Sequence, residues 1–185
     1  MSRPWPASAR RWPRRSVPSS EHGPYTRPVR FVVRTLQVDE TYALRRAVLR
    51  GGSPQAVVHQ DTDDAEATWH LGAEDEDGRV VATSTYFPQP CPLAPDVAGA
   101  FRLRSMAVDP SRQGEGIGRA VLDAGLARLA AAGVPLLWAN ARDGALGFYE
   151  ALGFRAVGDS FVDADSGLPH TVVLRRLGST VGCPP

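Results

Sequence analysis

Three glycines at alternate positions, Gly114, Gly116 and Gly118, lie between a strand-like run ending at Val108 and a long apolar helix pattern. The stretch reads Arg112-Gln113-Gly114-Glu115-Gly116-Ile117-Gly118-Arg119. Glycine there allows positive φ and lets another molecule approach the backbone closely. A helix starting at such a turn aims unpaired N–H groups and the positive end of its dipole at the same spot. The chemistry this predicts is the binding of an anion, most often a phosphate. One side chain elsewhere can move a proton. His70, between Trp69 and Leu71, is one of four histidines, and an ordinary imidazole titrates near neutrality.

Those groups need elements to hold them. Residues 29–36 (VRFVVRTL) predict a first strand. Residues 38–50 predict a helix with Asp39 as N-cap, Leu44 and Val48 on one face, and Arg45, Arg46 and Arg50 on its polar side. Gly51 and Gly52 end it. After a polar, acidic loop (53–67), residues 68–73 and 79–87 predict a hairpin around Asp77-Gly78. A Pro-rich connection (88–98) leads to a strand over 100–108. Past the glycine turn, Leu122, Leu126 and Leu129 share the face of a helix from about Gly116 to Ala132, stopped by Gly133. The wholly apolar 135–140 (PLLWAN) predicts a strand buried on both faces. A second helix over 143–152 closes at Gly153, and strands over 154–162 and 171–177 form a last antiparallel pair across Asp165-Ser166-Gly167. The expected fold class is mixed α/β (α+β): one sheet of about seven strands flanked by about four helices.

Length and charge limit the function classes. The 185 residues suit one domain with a full core. No apolar run reaches the roughly 18 residues of a membrane span. Residues 1–28 hold six Arg against one Glu, six Pro and no hydrophobic period, and predict a disordered tail. Residues 29–185 carry fifteen Arg against nineteen acids, which argues against bulk nucleic-acid binding by the folded part. Residues 178–185 read as a flexible C-terminal tail. Cys91 and Cys183 stand far apart, without a Cys/His cluster, so unpaired thiols in a reducing cytoplasm and no metal are expected.

Met106-Ala107-Val108, the turn Gln113-Gly114-Glu115-Gly116-Ile117-Gly118, and Ala145-Leu146-Gly147-Phe148-Tyr149-Glu150-Ala151-Leu152-Gly153-Phe154 occur in one order. Together they resemble the GCN5-related N-acetyltransferase (GNAT) superfamily over residues 29–177. Gln113, Gly116 and Gly118 fit its acetyl-CoA signature, Gln/Arg-x-x-Gly-x-Gly/Ala. The stretches 44–50, His70 and 138–142 further resemble an uncharacterised bacterial branch. The turn lacks the Lys-Ser/Thr of a P-loop, which disfavours a nucleotide-binding alternative.

The resemblance implies acetyl-CoA as co-substrate, no metal, and a small-molecule or peptide amine as acceptor. It implies that the amides from Gln113 to Gly118 hold the CoA pyrophosphate, with Arg112 and Arg119 adding charge and Glu115 turned to solvent. The pantetheine arm would enter a splay between the strand ending at Val108 and the next parallel strand, pairing with backbone at Met106, Ala107 and Val108. Asn140, Arg142 and Phe148 complete the implied cofactor contacts. Where the family pattern reads Asn-x-x-Ala-x-x-x-Tyr, this chain has Arg142, which leaves that residue open to a phosphate or a substrate carboxylate. Tyr149 resembles the general acid. No carboxylate stands on the strand before the turn, so His70 is the expected base or substrate ligand, with Glu74, His170 and a water chain as alternatives. Arg45, Arg46, Arg50, Arg102 and Arg104 are candidates to line an acceptor groove. The missing carboxylate also keeps a non-catalytic acyl-CoA sensor open. A homodimer through the last strands is the assembly the resemblance suggests.

Overall fold

A computed structural model describes residues 31–164 and 166–178. The tail expected over 1–28, all but Gly178 of the one expected over 178–185, and Asp165 lie outside the described residues.

Seven strands form one sheet in the order β1-β2-β3-β4-β5-β7-β6. These are β1 (Phe31–Leu36), β2 (Trp69–Asp75), β3 (Val80–Pro88), β4 (Phe101–Val108), β5 (Leu136–Arg142), β6 (Arg155–Val162) and β7 (Pro169–Arg176). All neighbours are antiparallel except β4 and β5. Three helical segments flank the sheet among the described residues: α1 (39–49), α2 (Ile117–Ala131) and α3 (143–150). About four helices were expected; a separate 3-10 turn, Pro110–Arg112, precedes the glycine turn.

α2 packs on one face. Its Ile117, Val121, Leu122, Leu126 and Leu129 are buried with Leu71, Tyr86 and Leu103 of the sheet. Gly125 permits that approach, since a Cβ there would lie 2.1 Å from the Tyr86 hydroxyl. Gly133 adopts φ +72°, and Val134 N and Gly133 N donate to the Leu129 and Ala130 carbonyls, closing the helix with a Schellman motif. The opposite face carries α1 and a second apolar cluster that includes Cys91, Leu136, Trp138, Val172 and Leu174. Central β5 is apolar throughout its first half because both of its faces are covered.

α1 departs from the expected helix. It runs as a 3-10 turn (Asp39–Thr41), an α turn (Tyr42–Leu44) and a π turn (Arg45–Leu49), and its N-cap is Val38, without a side-chain cap, in place of Asp39. Arg45 directly follows Leu44 and shares the buried side of the segment with Thr41 and Leu44. Arg45, expected on the polar side, is 1% exposed.

Candidate active site

β4 and β5 pair at only two positions, Phe101↔Leu137 and Arg102↔Trp138. Beyond them the two parallel strands diverge. β4 itself is bent by a bulge. Its register with β3 jumps between Thr83 and Thr85, and Ser105 takes φ +51°, a left-handed conformation in a non-glycine residue. Leu103 before the bulge and Met106 and Val108 after it all pack into the α2 core, so alternation is reset across Ser105. The gap opens into a cavity of about 690 Å³.

The glycine turn closes one end. Gly114 and Gly116 have φ of +84° and +79°, and Gly116 is the N-cap of α2. Gly118 brings the first helical turn onto β4. A Cβ there would sit 3.1 Å from Val108 Cγ2 and 3.4 Å from Met106 Cε. Asp109 sets up the turn by accepting from the Ser111 amide at 2.9 Å and hydroxyl at 2.7 Å. These Ser111 bonds hold the Asp109 carboxyl below its ordinary range.

α3 brings Tyr149 to the same cavity. Gly153 at φ +76° ends that helix, with Phe154 N donating to Tyr149 O and Gly153 N to Glu150 O. This is again the Schellman pattern, with its usual hydrophobic contact: the Phe154 and Tyr149 rings meet edge-on at 5.4 Å. The Gly153-Phe154 pair of the sequence is therefore the clamp on the helix that carries the phenol. Burial pushes the Tyr149 phenol up to about 12, so it is protonated at neutral pH.

The acetyltransferase (GNAT) family model matches residues 36–154. The chain belongs to that family. It is an enzyme of the acetyltransferase type. An uncharacterised N-acetyltransferase of Bacillus subtilis, YitI, is 33% identical over 129 residues, 70% of this chain and 85% of the relative. The ribosomal-protein-S18-alanine N-acetyltransferase of Escherichia coli superposes with TM-score 0.62 at 19% identity, covering 83% of this chain and 97% of that one. An aminoglycoside 6'-N-acetyltransferase complexed with coenzyme A gives TM-score 0.61 at 14% identity, over 80% and 98%. At these identities the two structures are alike in fold.

In this acetyltransferase the cavity wall includes Tyr149 and every expected cofactor contact except Glu115, but not His70. Glu115 is held by Arg112, whose Nε donates to Glu115 Oε2 at 2.7 Å. Arg112 Nη1 also reaches Asp75 Oδ2 at 3.5 Å, so its charge is shared with two carboxylates. Arg119 is exposed, with Asp123 Oδ2 at 3.7 Å from its Nε.

His70 is the larger correction. It is buried on β2, its Nδ1 lies 2.9 Å from Thr85 Oγ1 and 3.5 Å from Arg45 Nη2, and it does not border the cavity. Burial, and then the Arg45 charge, push its imidazole below its ordinary value. It belongs to a network centred on Arg45, which donates to Asp63 at 2.6 and 3.1 Å, Thr85 Oγ1 at 2.7 Å and Val58 O at 3.1 Å. Burial pushes the Asp63 carboxyl up, but the Arg45 hydrogen bonds and charge outweigh it and hold the carboxyl below its ordinary range. The network ties the 53–67 loop to the sheet, and of its members Arg45 and Val58 border the cavity. Glu74 is likewise engaged, with Arg34 Nε at 2.7 Å.

The β6–β7 corner supplies what sequence reasoning ranked low or missed. His170, Asp163 and Ser166 border the cavity. His170 Nδ1 lies 2.9 Å from the Leu168 carbonyl. A carbonyl only accepts, so Nδ1 carries the proton and Nε2 is the basic nitrogen of the neutral ring. Burial pushes the Asp163 carboxyl up, but bonds from the Ser166 hydroxyl and amide outweigh it and hold it low. Of the arginines expected to line a groove, Arg45, Arg50, Arg102 and Arg104 reach the cavity, and Arg46 does not. Ser105 carried no signal, because a strand serine gives no hint of a bulge.

Proposed function

We propose that this protein is an acetyl-CoA-dependent N-acetyltransferase that moves an acetyl group directly to a primary amine. The observation that carries the reading is the divergence of β4 and β5 after Arg102 and Trp138, with the glycine turn at one end and the Tyr149 phenol beside it. A pyrophosphate fits the amides from Gln113 to Gly118 and the N-terminus of α2. Residues 106–108, unpaired on their β5 side, suit a pantetheine arm laid in as an added strand. Met106, Ala107, Val108 and Phe148 then flank the arm, and Asn140 stands at its inner end.

In the reaction a neutral amine attacks the thioester carbon, a strand amide near Val108 stabilises the oxyanion, and the carbon–sulfur bond breaks as the intermediate collapses. Tyr149 donates a hydrogen bond to the departing sulfur, and the thiolate takes its proton from solvent as CoA leaves. The ammonium proton of the acceptor is taken by water or by His170 Nε2. His70 has no part in this scheme beyond holding Arg45 and Thr85. A cytoplasmic enzyme is the setting proposed, and the exposed edge strand β6 is the surface where two copies would meet.

The test is release of free CoA thiol from acetyl-CoA with a panel of amines, with product mass checked for one added acetyl group. Amine-dependent release above hydrolysis is expected. Tight CoA binding with no amine-dependent release would overturn the reading.

A further inference from the structure

Arg142 stands at the end of β5, and its direction distinguishes two uses. Ala139 and Ala141 pack into the core under α2. Side chains alternate along a strand, so Arg142 belongs to the opposite face with Trp138, the face that carries α1. Its register partner on β7 is His170. Its Nη2 donates to the Leu49 carbonyl, at the end of α1, at 3.4 Å. The glycine turn opens α2 on the other face. Arg142 is therefore turned away from the phosphates of the donor and toward the space left for the acceptor.

The charge of that space points the same way. Arg50, Arg102, Arg104 and Arg142 border it, and Asp163 is the one carboxylate on the cavity wall among the described residues. Arg102 donates to Gln89 Oε1 and lies over the Trp138 ring, and Arg104 acts on Asp163. Arg45 is bound by Asp63, and Arg112 and Arg119 belong to the glycine turn. Arg142 itself pairs with no carboxylate among the described residues. Within the same wall, the buried Arg45 Nε has no hydrogen-bond partner among the described residues. A guanidinium offers two parallel N–H groups that match a carboxylate, whereas a polycationic amine would meet like charge.

We propose that the acceptor is a small amine that also bears a carboxylate, and that Arg142 binds this carboxylate and so determines specificity. The inference rests on the N-acetyltransferase reading above. Amine and carboxylate occupy one molecule: the carboxylate docks at Arg142, and the amine is carried toward the thioester near the bulge of β4.

The experiment uses the full chain, acetyl-CoA, amino acids paired with their carboxamides, and spermidine as a cationic acceptor. The carboxylate form should exceed its amide in kcat/KM by about tenfold or more, the scale of one charge-assisted bidentate contact. Arg142→Gln should erase that factor through the KM of the carboxylate acceptor. It should leave the KM for acetyl-CoA unchanged. Arg142→Lys should restore part of the factor. Preference for amides or spermidine overturns the inference and leaves the acetyltransferase reading intact. So does a rise in the KM for acetyl-CoA in Arg142→Gln, which would make the residue a donor contact. If no amine is acetylated, the acetyltransferase reading fails by itself. Calorimetric titration of the same carboxylates into the CoA complex then decides. Binding lost in Arg142→Gln upholds the carboxylate site, and no binding, or binding unchanged by the substitution, overturns it.

Discussion

Replacing Tyr149 by Phe removes one oxygen and little else. The ring is 6% exposed and meets Phe148 and Phe154 edge-on at centroid distances of 5.2 and 5.4 Å. Both contacts survive in Phe. The hydroxyl has no hydrogen bond to a described residue, so its deletion strands no partner, and stability should change by less than about 0.5 kcal/mol. The rate should respond very differently. Burial raises the phenol to about 12, roughly 3.5 units above an ordinary thiol, so full proton transfer to a thiolate is uphill by about 5 kcal/mol. The phenol therefore acts mainly as a hydrogen-bond donor that stabilises the departing sulfur, and it stays protonated throughout the assay range. Loss of a positioned acid costs about 10²–10⁴ in rate, or about 3–5 kcal/mol of barrier. The assay is thiol release at saturating acetyl-CoA from about pH 6 to pH 9. The expected result is a drop in kcat that is uniform across pH, with the KM for acetyl-CoA and the melting temperature unchanged. A kcat within about twofold of the parent enzyme would reduce Tyr149 to packing. A pH limb that moves with the substitution would show that the phenol titrates in this range and would refute the raised pKa.

Two further outcomes probe the scaffold. Asp63→Ala leaves the Arg45 guanidinium, whose side chain is 2% exposed, buried without its counter-charge. The expected loss is about 3–5 kcal/mol, lowering the melting temperature by roughly 6–20 °C. Because the Asp63 carboxyl is held below its ordinary value, its contribution is complete above the unfolded value of about 4 and fades as pH falls through the lowered one. The gap between parent and variant should therefore be constant near neutrality and shrink below about pH 4, and a gap that grows in acid would contradict the assignment. In Gly72→Ala a Cβ would lie 2.4 Å from both the Ala82 carbonyl oxygen and Leu36 Cδ1. Neighbouring strands cannot yield cheaply, and a loss of about 1–3 kcal/mol or more is expected in urea unfolding. An unchanged midpoint would show that the sheet is looser there than described.

Much of the site was legible because it is local. The glycines at 114, 116 and 118 stand next to one another in the chain, and their positive φ and the helix after them follow from a few consecutive residues. The same holds for Tyr149 and its clamp, since the Gly153-Phe154 pair acts within one helical turn of the phenol. The parallel pairing of β4 with β5 was implied by the family resemblance, whereas the place of β7 between β5 and β6 had no local signal in the chain.

What was misread is non-local. Arg45 was assigned to the polar side of α1 because it is charged, but it lies beside Leu44, and Asp63 arrives from a loop eighteen residues on to hold it in the core. His70 alternates onto the right face of β2, yet Arg45 and Thr85 enclose it. His170, named only as an alternative base, is brought to the cavity by the pairing of β7 with β5. The sequence by itself determined the donor side, because backbone conformation near a glycine is a property of neighbouring residues. Only the tertiary structure decided the acceptor side, because its wall is assembled from α1, β4, β5 and β7, and the charge that remains there depends on which arginines are already paired.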